Sequence, residues 1–321
     1  MKRRDFVVVA LACAGASGAV RAQPAGRLYR VGWLDFSSSA ENLGVFAQAM
    51  GARGWIDGKS LRIDYRGGEG KAERLASAAA ALARLPVDVI VAPGAAEALA
   101  ARKATGSVPI VMTAVDDPVG LGLVASLPRP GGNVTGLASA RKDLSAKLLS
   151  LLHELLPRAT TLAILWEAND PDQRVVVGYL EGAARTLALT LNSVSVQRAA
   201  DVEPAMAALR KQGNQMLIVP SGNLLVPRWI ADEALKNALP LASTDPGYAY
   251  EGGLMAYSDD WNAVFERTAA YVDRILRGAK PADLPVELPT KFKLIFNAKT
   301  AKTLGVKIPP PLLLRADHVI E

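Results

Sequence analysis

Short apolar runs alternate with longer amphipathic stretches along nearly the whole chain, and past residue 140 the alternation starts afresh. Tyr29–Phe36 reads as a strand and Asn42–Arg53 as a helix closed by Gly54. Leu61–Tyr65 is a second strand and Glu73–Leu85 an Ala-rich helix. Asp88–Ala92, Ala95–Ala104 and Pro109–Ala114 continue as strand, helix and strand. Strands separated by helices in this way make a parallel sheet, because each parallel crossover needs a dozen or more residues and leaves its helix on a sheet face.

The second series runs through the helix Leu144–Leu156, the strand Thr161–Trp166 and the helix Arg174–Leu187. It continues with Leu191–Val196, Val202–Gln212, Met216–Pro220 and Trp229–Asn237, and Leu239–Ser243 and Leu254–Tyr257 read as later strands. The fold class is therefore α/β, with two doubly wound parallel-sheet lobes. The helix Ala263–Arg277 and the strand Phe292–Phe296 remain to be shared between them. Pro128–Asn133 and Lys280–Pro285 are turn clusters, and the Pro-rich tail Ile308–Pro311 reads as extended along the surface.

The N-terminus has the order of an export signal. Lys2, Arg3 and Arg4 precede the apolar run Val7–Ala12, and small residues lead to Val20-Arg21-Ala22. A signal peptide over residues 1–22 is expected, cut after Ala22. Arg3-Arg4-Asp5-Phe6-Val7 leaves both the Sec and the twin-arginine route open. The formal charge of +6 falls to +3 when those residues leave, which is no nucleic-acid-binding stripe. Cys13 is the single cysteine and goes with the leader, so neither a disulfide framework nor a thiolate metal site is expected. No later apolar run reaches the roughly 20 residues of a membrane helix, so no membrane insertion is expected after signal removal.

Two glycine-rich stretches resemble nucleotide motifs but sit in the wrong context. Gly54–Ser60 joins a helix to a strand, the reverse of a phosphate loop. Gly120-Leu121-Gly122-Leu123-Val124-Ala125 has dinucleotide spacing, but follows a fourth strand across Asp116-Asp117-Pro118. That aspartate pair suits acid–base work, a metal or the cap of a helix starting at Pro118. No Gly-x-Ser-x-Gly elbow is present, and neither His153 nor His318 has a ligand at metal spacing. No catalytic residue, metal site or cofactor is assigned.

Small polar residues cluster where strands end: Asp35, Ser37 and Ser38; Gly94 and Ala95; Asp116 and Asp117; Trp166 and Asn169; Ser221 and Asn223; and Asp245. Ligands of open α/β sheets bind in the crevice beyond those ends. Helix N-termini there offer unpaired N–H groups to an anionic group such as a carboxylate.

The stretch from Val111 through Asp116-Asp117-Pro118 to Val124, continued by Pro130–Gly136, resembles the substrate-binding proteins of ABC transporters in the tryptophan/tyrosine-uptake-like group. Leu276–Glu287 and Asn297–Gly305 match further segments of that group. The resemblance implies a type I periplasmic-binding-protein fold, with a hinge of three crossovers and an interlobe cleft. It places 27–139 plus 258–286 in lobe 1 and 140–257 plus 287–321 in lobe 2. It also implies a periplasmic, non-enzymatic protein that captures a small-molecule ligand and delivers it to the membrane permease of an ABC transporter. Ligand-sensing for a membrane receptor, or a secreted hydrolase, are the other readings. By position, Asp117, Asn223 and the region Tyr257–Asp260 hold ligand in that group, and Trp166 and Tyr257 are expected to stack on it. Its members carry Thr where Asp116 stands, Asp where Gly222 stands and Asn near Glu167, so the polar set here is altered.

Overall fold

The computed structural model describes residues 27–36, 41–220 and 225–321. The first series of elements is β1 (Tyr29–Asp35), α1 (Glu41–Ala52), β2 (Leu61–Gly67), α2 (Ala72–Arg84), β3 (Val89–Pro93), α3 (Ala95–Ala104), β4 (Ile110–Val115) and β5 (Val134–Ala138). These five strands form one parallel sheet in the order β2-β1-β3-β4-β5. The alternation of side chains along β3 shows why it lies at the sheet centre. Val89 and Val91 face one apolar core with Trp33 and Phe46, while Ile90 and Ala92 face another with Leu75, Ala79 and Leu82 of α2. Each such side chain contributes about 1.5–3 kcal/mol when fully buried, so a strand apolar on both faces is held only between two helical layers.

The second series is α4 (Arg141–Leu155), β6 (Thr161–Glu167), α5 (Pro171–Thr186), β7 (Thr190–Val196), α6 (Val202–Lys211), β8 (Met216–Val219), α7 (Pro227–Lys236), β9 (Leu241–Ser243), α8 (Pro246–Tyr250) and β10 (Met255–Asp259). Then come α9 (Trp261–Leu276), β11 (Phe292–Asn297), α10 (Ala298–Thr303), α11 (Pro310–Leu313) and β12 (His318–Ile320). The second sheet has seven strands in the order β12-β11-β10-β9-β8-β6-β7, parallel except for the β10–β11 pair. Helix α9 leaves this unit and packs on the first, where Phe265, Ala269 and Val272 join Trp33, Phe46 and Val91 in one core.

The chain passes between the units three times, and the passages lie side by side. Ala138 N–H donates to Glu287 O at 2.8 Å and Glu287 N–H to Gly136 O at 3.1 Å. Asp260 N–H, at the turn from β10 into α9, donates to Lys291 O at 3.0 Å.

Three details differ from the sequence reading. Val134–Ala138 is a buried edge strand; its central Gly136 has φ 130°, and a Cβ there would lie 2.1 Å from Met112 O, so only glycine lets β5 approach β4 this closely. No helix begins at Pro118: Asp117 Oδ1 instead accepts Gly120 N–H at 2.8 Å and closes a turn. The tail is not extended at Pro310, because Pro310–Leu313 forms a helical turn that buries Leu312 in the second core. Among the described residues no helix is long and apolar enough to cross a membrane.

Candidate ligand-binding cleft

The carboxyl ends of β1, β3 and β4 face the carboxyl end of β6 across a cavity of about 600 Å³, within the usual size for small-molecule sites. The first unit supplies Phe36 after β1, Asn42 on α1, Gly94 and Glu97 around the start of α3, and Thr113 and Ala114 at the end of β4. Trp261 and Phe265 of α9 complete that wall, and Arg141, Glu167, Asn169 and Asp170 line the cavity from the second unit. A smaller cavity of about 400 Å³ lies between α9 and residues 287–291.

Local geometry explains how these side chains reach the cavity. Pairing between β4 and β5 shifts between Met112 and Val115, and Ala114 takes φ 57°, a left-handed conformation that L-residues adopt at a cost. The kink places Thr113 and Ala114 in the wall, with the Thr113 hydroxyl hydrogen-bonded to Thr268 at 3.0 Å. Gly94, at φ 130°, precedes α3 and leaves room for the Glu97 carboxylate, whose Oε2 would meet a Cβ at 2.5 Å. Glu97 Oε1 accepts Phe36 N–H at 3.0 Å and so ties the β1 exit to α3. On the opposite wall Glu167 Oε1 accepts Leu225 N–H at 3.1 Å, and Asp170 Oδ1 accepts Gln173 N–H at 3.1 Å in the first turn of α5.

Charged residues also gather near the crossings. Arg141, the first residue of α4, pairs with Asp116 at the end of β4 at 3.1 Å, bridging the two units. Asp259, at the end of β10, is 7 % exposed, and its Oδ1 is buried with no hydrogen-bond partner. Burial pushes its carboxyl up to about 6; the Arg141 guanidinium pulls the other way and Asp116 adds to the rise. Burial, followed by the negative charge of Asp116, raises the Tyr179 phenol above its ordinary value as well.

Of the residues singled out from sequence, Gly94 and Asn169 line the cavity. Asp35 ends β1 and is nearly buried, and Ala95 opens α3 between the two lining residues Gly94 and Ala96. Asp116 meets the cavity through its pair with Arg141, whereas Asp117 is exposed in its own turn. Asp245 accepts Gly247 N–H at 2.8 Å and caps α8. Trp166 and Tyr257 pack on the core that contains Leu148, Leu152 and Leu180. The Trp166 indole donates to Ser193 Oγ at 2.9 Å, and Tyr257 lies 6.0 Å from Phe292, ring to ring. Ser37, Ser38, Ser221 and Asn223 lie outside the described residues. The sequence reading did not single out Glu97, Arg141, Asp170, Trp261 or Phe265 as site residues. Glu97 was readable as the third residue of a helix after glycine, and Trp261 as the first residue after an Asp cap.

Comparison with known proteins gives a consistent picture. The family described as ABC transporter substrate binding protein matches residues 34–320. A tyrosine-binding protein from Clostridioides difficile (strain R20291) is 28 % identical over 277 residues, covering 85 % of this chain and 78 % of the relative. An ABC domain from Streptococcus pneumoniae in complex with L-Trp superposes with a TM-score of 0.80 at 25 % identity, covering 92 % of this chain and all of that one. The ligand-free, open structure of a substrate-binding protein with adhesive properties from Clostridium difficile gives 0.70 at 25 % identity, over 91 % and 99 % of the two chains. With two parallel-sheet units facing each other across a lined cavity and a family match over nearly the whole described length, the chain belongs to the ABC transporter substrate-binding proteins and has their type I periplasmic-binding-protein fold.

Proposed function

We propose that this chain is an exported, periplasmic member of its family that captures an amino-acid-like or related small organic solute between its two lobes. It then presents the closed form to an ABC permease and makes or breaks no bond. The observation that carries this reading is the cavity of about 600 Å³ walled by both units, with Phe36, Glu97 and Trp261 on one side and Arg141, Glu167 and Asn169 on the other. A ligand touching both walls has differential affinity for the closed arrangement and shifts the population toward it. The three passages lie next to one another, so the lobes can rotate about a narrow seam. At equal identity the fold superposes better on the L-Trp complex than on the ligand-free open structure, which supports a closed arrangement of the two lobes. Sequence supplies the export signal over residues 1–22 and leaves Sec and twin-arginine routing as equal alternatives.

The test is mass spectrometry of small molecules released from the purified protein, followed by thermal-shift measurement with each. A small molecule that co-purifies in stoichiometric amount and raises the unfolding midpoint is the expected result. A protein that carries none, and that no amino acid or related metabolite stabilises, refutes capture.

A further inference from the structure

Among the described residues four charged side chains line the cleft, and three of them are acidic: Glu97, Glu167 and Asp170. The fourth, Arg141, stands 3.1 Å from Asp116, so much of its positive charge is already answered. Residues 37–40 and 221–224 contain no ionisable side chain. From these residues, resting on the reading of the cleft as a solute site, we propose that it selects an organic cation: a protonated amine on a planar or apolar body.

Two further features favour that class. The start of α5, where a ligand carboxylate would gain most from backbone N–H groups, is already served by Asp170 of the chain itself. Near the start of α3 the Glu97 carboxylate fills the space beside Gly94 and accepts Phe36 N–H. An anionic group arriving there meets like charge instead of open donors, which reverses the expectation drawn from helix ends in the sequence alone. The other feature is aromatic. Trp261 and Phe265 stack with centroids 6.0 Å apart, and both line the cavity with Phe36. Aromatic faces attract cations and offer flat area to a planar body. In a cleft with water largely expelled, a carboxylate and an ammonium attract far more strongly than in bulk solvent.

The experiment is calorimetric titration of the protein lacking residues 1–22 with three indoles of similar size and different charge. They are tryptamine (cation), tryptophan (zwitterion) and indole-3-acetate (anion). Tryptamine is expected to bind at least about tenfold more tightly than tryptophan, with indole-3-acetate weakest. Glu167→Gln and Asp170→Asn keep an oxygen to accept the Leu225 and Gln173 N–H groups but remove the charge. Each is expected to weaken tryptamine binding by about three- to tenfold with little change in unfolding midpoint. Asp116→Asn removes a partner of Arg141 and is expected to narrow the gap between amine and acid. Tryptophan or indole-3-acetate binding as tightly as tryptamine overturns the inference, and so does a protein that binds none of the three. In either case a co-purifying small molecule that stabilises the protein leaves the solute-binding reading standing; only its absence removes both.

Discussion

Replacing Asp259 by asparagine should stabilise the protein at neutral pH and do nothing in acid. The carboxyl sits at the end of β10, 7 % exposed, with Oδ1 unpartnered, and burial raises it from 3.8 to about 6. A gap of about two pH units corresponds to roughly 3 kcal/mol at 1.36 kcal/mol per unit. Because the folded value lies above the unfolded one, the sign is unfavourable to the ionised fold. Below about pH 4 the group is protonated in both states and costs nothing. Between about pH 4 and 6 the unfolded chain gives up its proton first, and stability falls as pH rises. Above about pH 6 the whole penalty is present. Asp259→Asn cannot ionise, so its advantage over the parent should grow from near zero at about pH 4 to as much as about 3 kcal/mol at about pH 7.5. Urea unfolding of both proteins at about pH 4.5, 6 and 7.5 measures this, and taking the difference at each pH cancels the other titrating groups. A difference that stays flat across the range would show that Asp259 is solvated or paired well enough to keep an ordinary carboxyl, and would refute the reasoning.

The remaining predictions concern packing and surface. Gly136→Ala should cost at least about 3 kcal/mol, since its Cβ would meet Met112 O at 2.1 Å on a backbone at φ 130°; Gly178→Ala, exposed inside α5 with nothing within 4 Å, should gain about 0.5–1 kcal/mol. Unfolding midpoints of the two variants moving in opposite directions would confirm both. Leu180→Ala, fully buried in the second core, should lose about 2–5 kcal/mol in urea unfolding. Arg267→Ala breaks a two-pronged contact with Glu287 at 2.6 and 2.7 Å, yet both partners are over a third exposed, so the loss should be no more than about 1 kcal/mol and should shrink in high salt.

Strands apolar on both faces, such as Val89-Ile90-Val91-Ala92, announce themselves in sequence, and so do helices such as α2 with Leu75, Ala79 and Leu82 on one side. Val134-Thr135-Gly136-Leu137-Ala138 did not, because glycine interrupts its apolar run and only the nearness of Met112 O explains why glycine is there. The cleft was legible as a location, at the ends of strands, but less so as a set of side chains. Trp166 looks like a ligand-stacking residue in sequence, yet one step along β6 exchanges sheet faces. Trp166 turns to the core of Leu148 and Leu180, and Glu167 faces the cavity. Arg141, Trp261 and Phe265 reach the cleft through the crossings, and pairing across a crossing leaves no periodic trace in the chain.

Helix α9 closes one face of the first sheet, although the strands of that sheet end at Ala138 and α9 begins only at Trp261. A ribosome that has delivered the first five strands has not yet delivered the surface that shields Trp33, Phe46 and Val91 from water. The second sheet likewise waits for Leu294 and Phe296 of β11 and for Leu312 near the end of the chain. The first half therefore cannot mature until most of the second has been synthesised, and the second not until the chain is nearly complete. The nascent polypeptide stays unlocked until translation is almost finished, a timing set by the order of the elements along the chain.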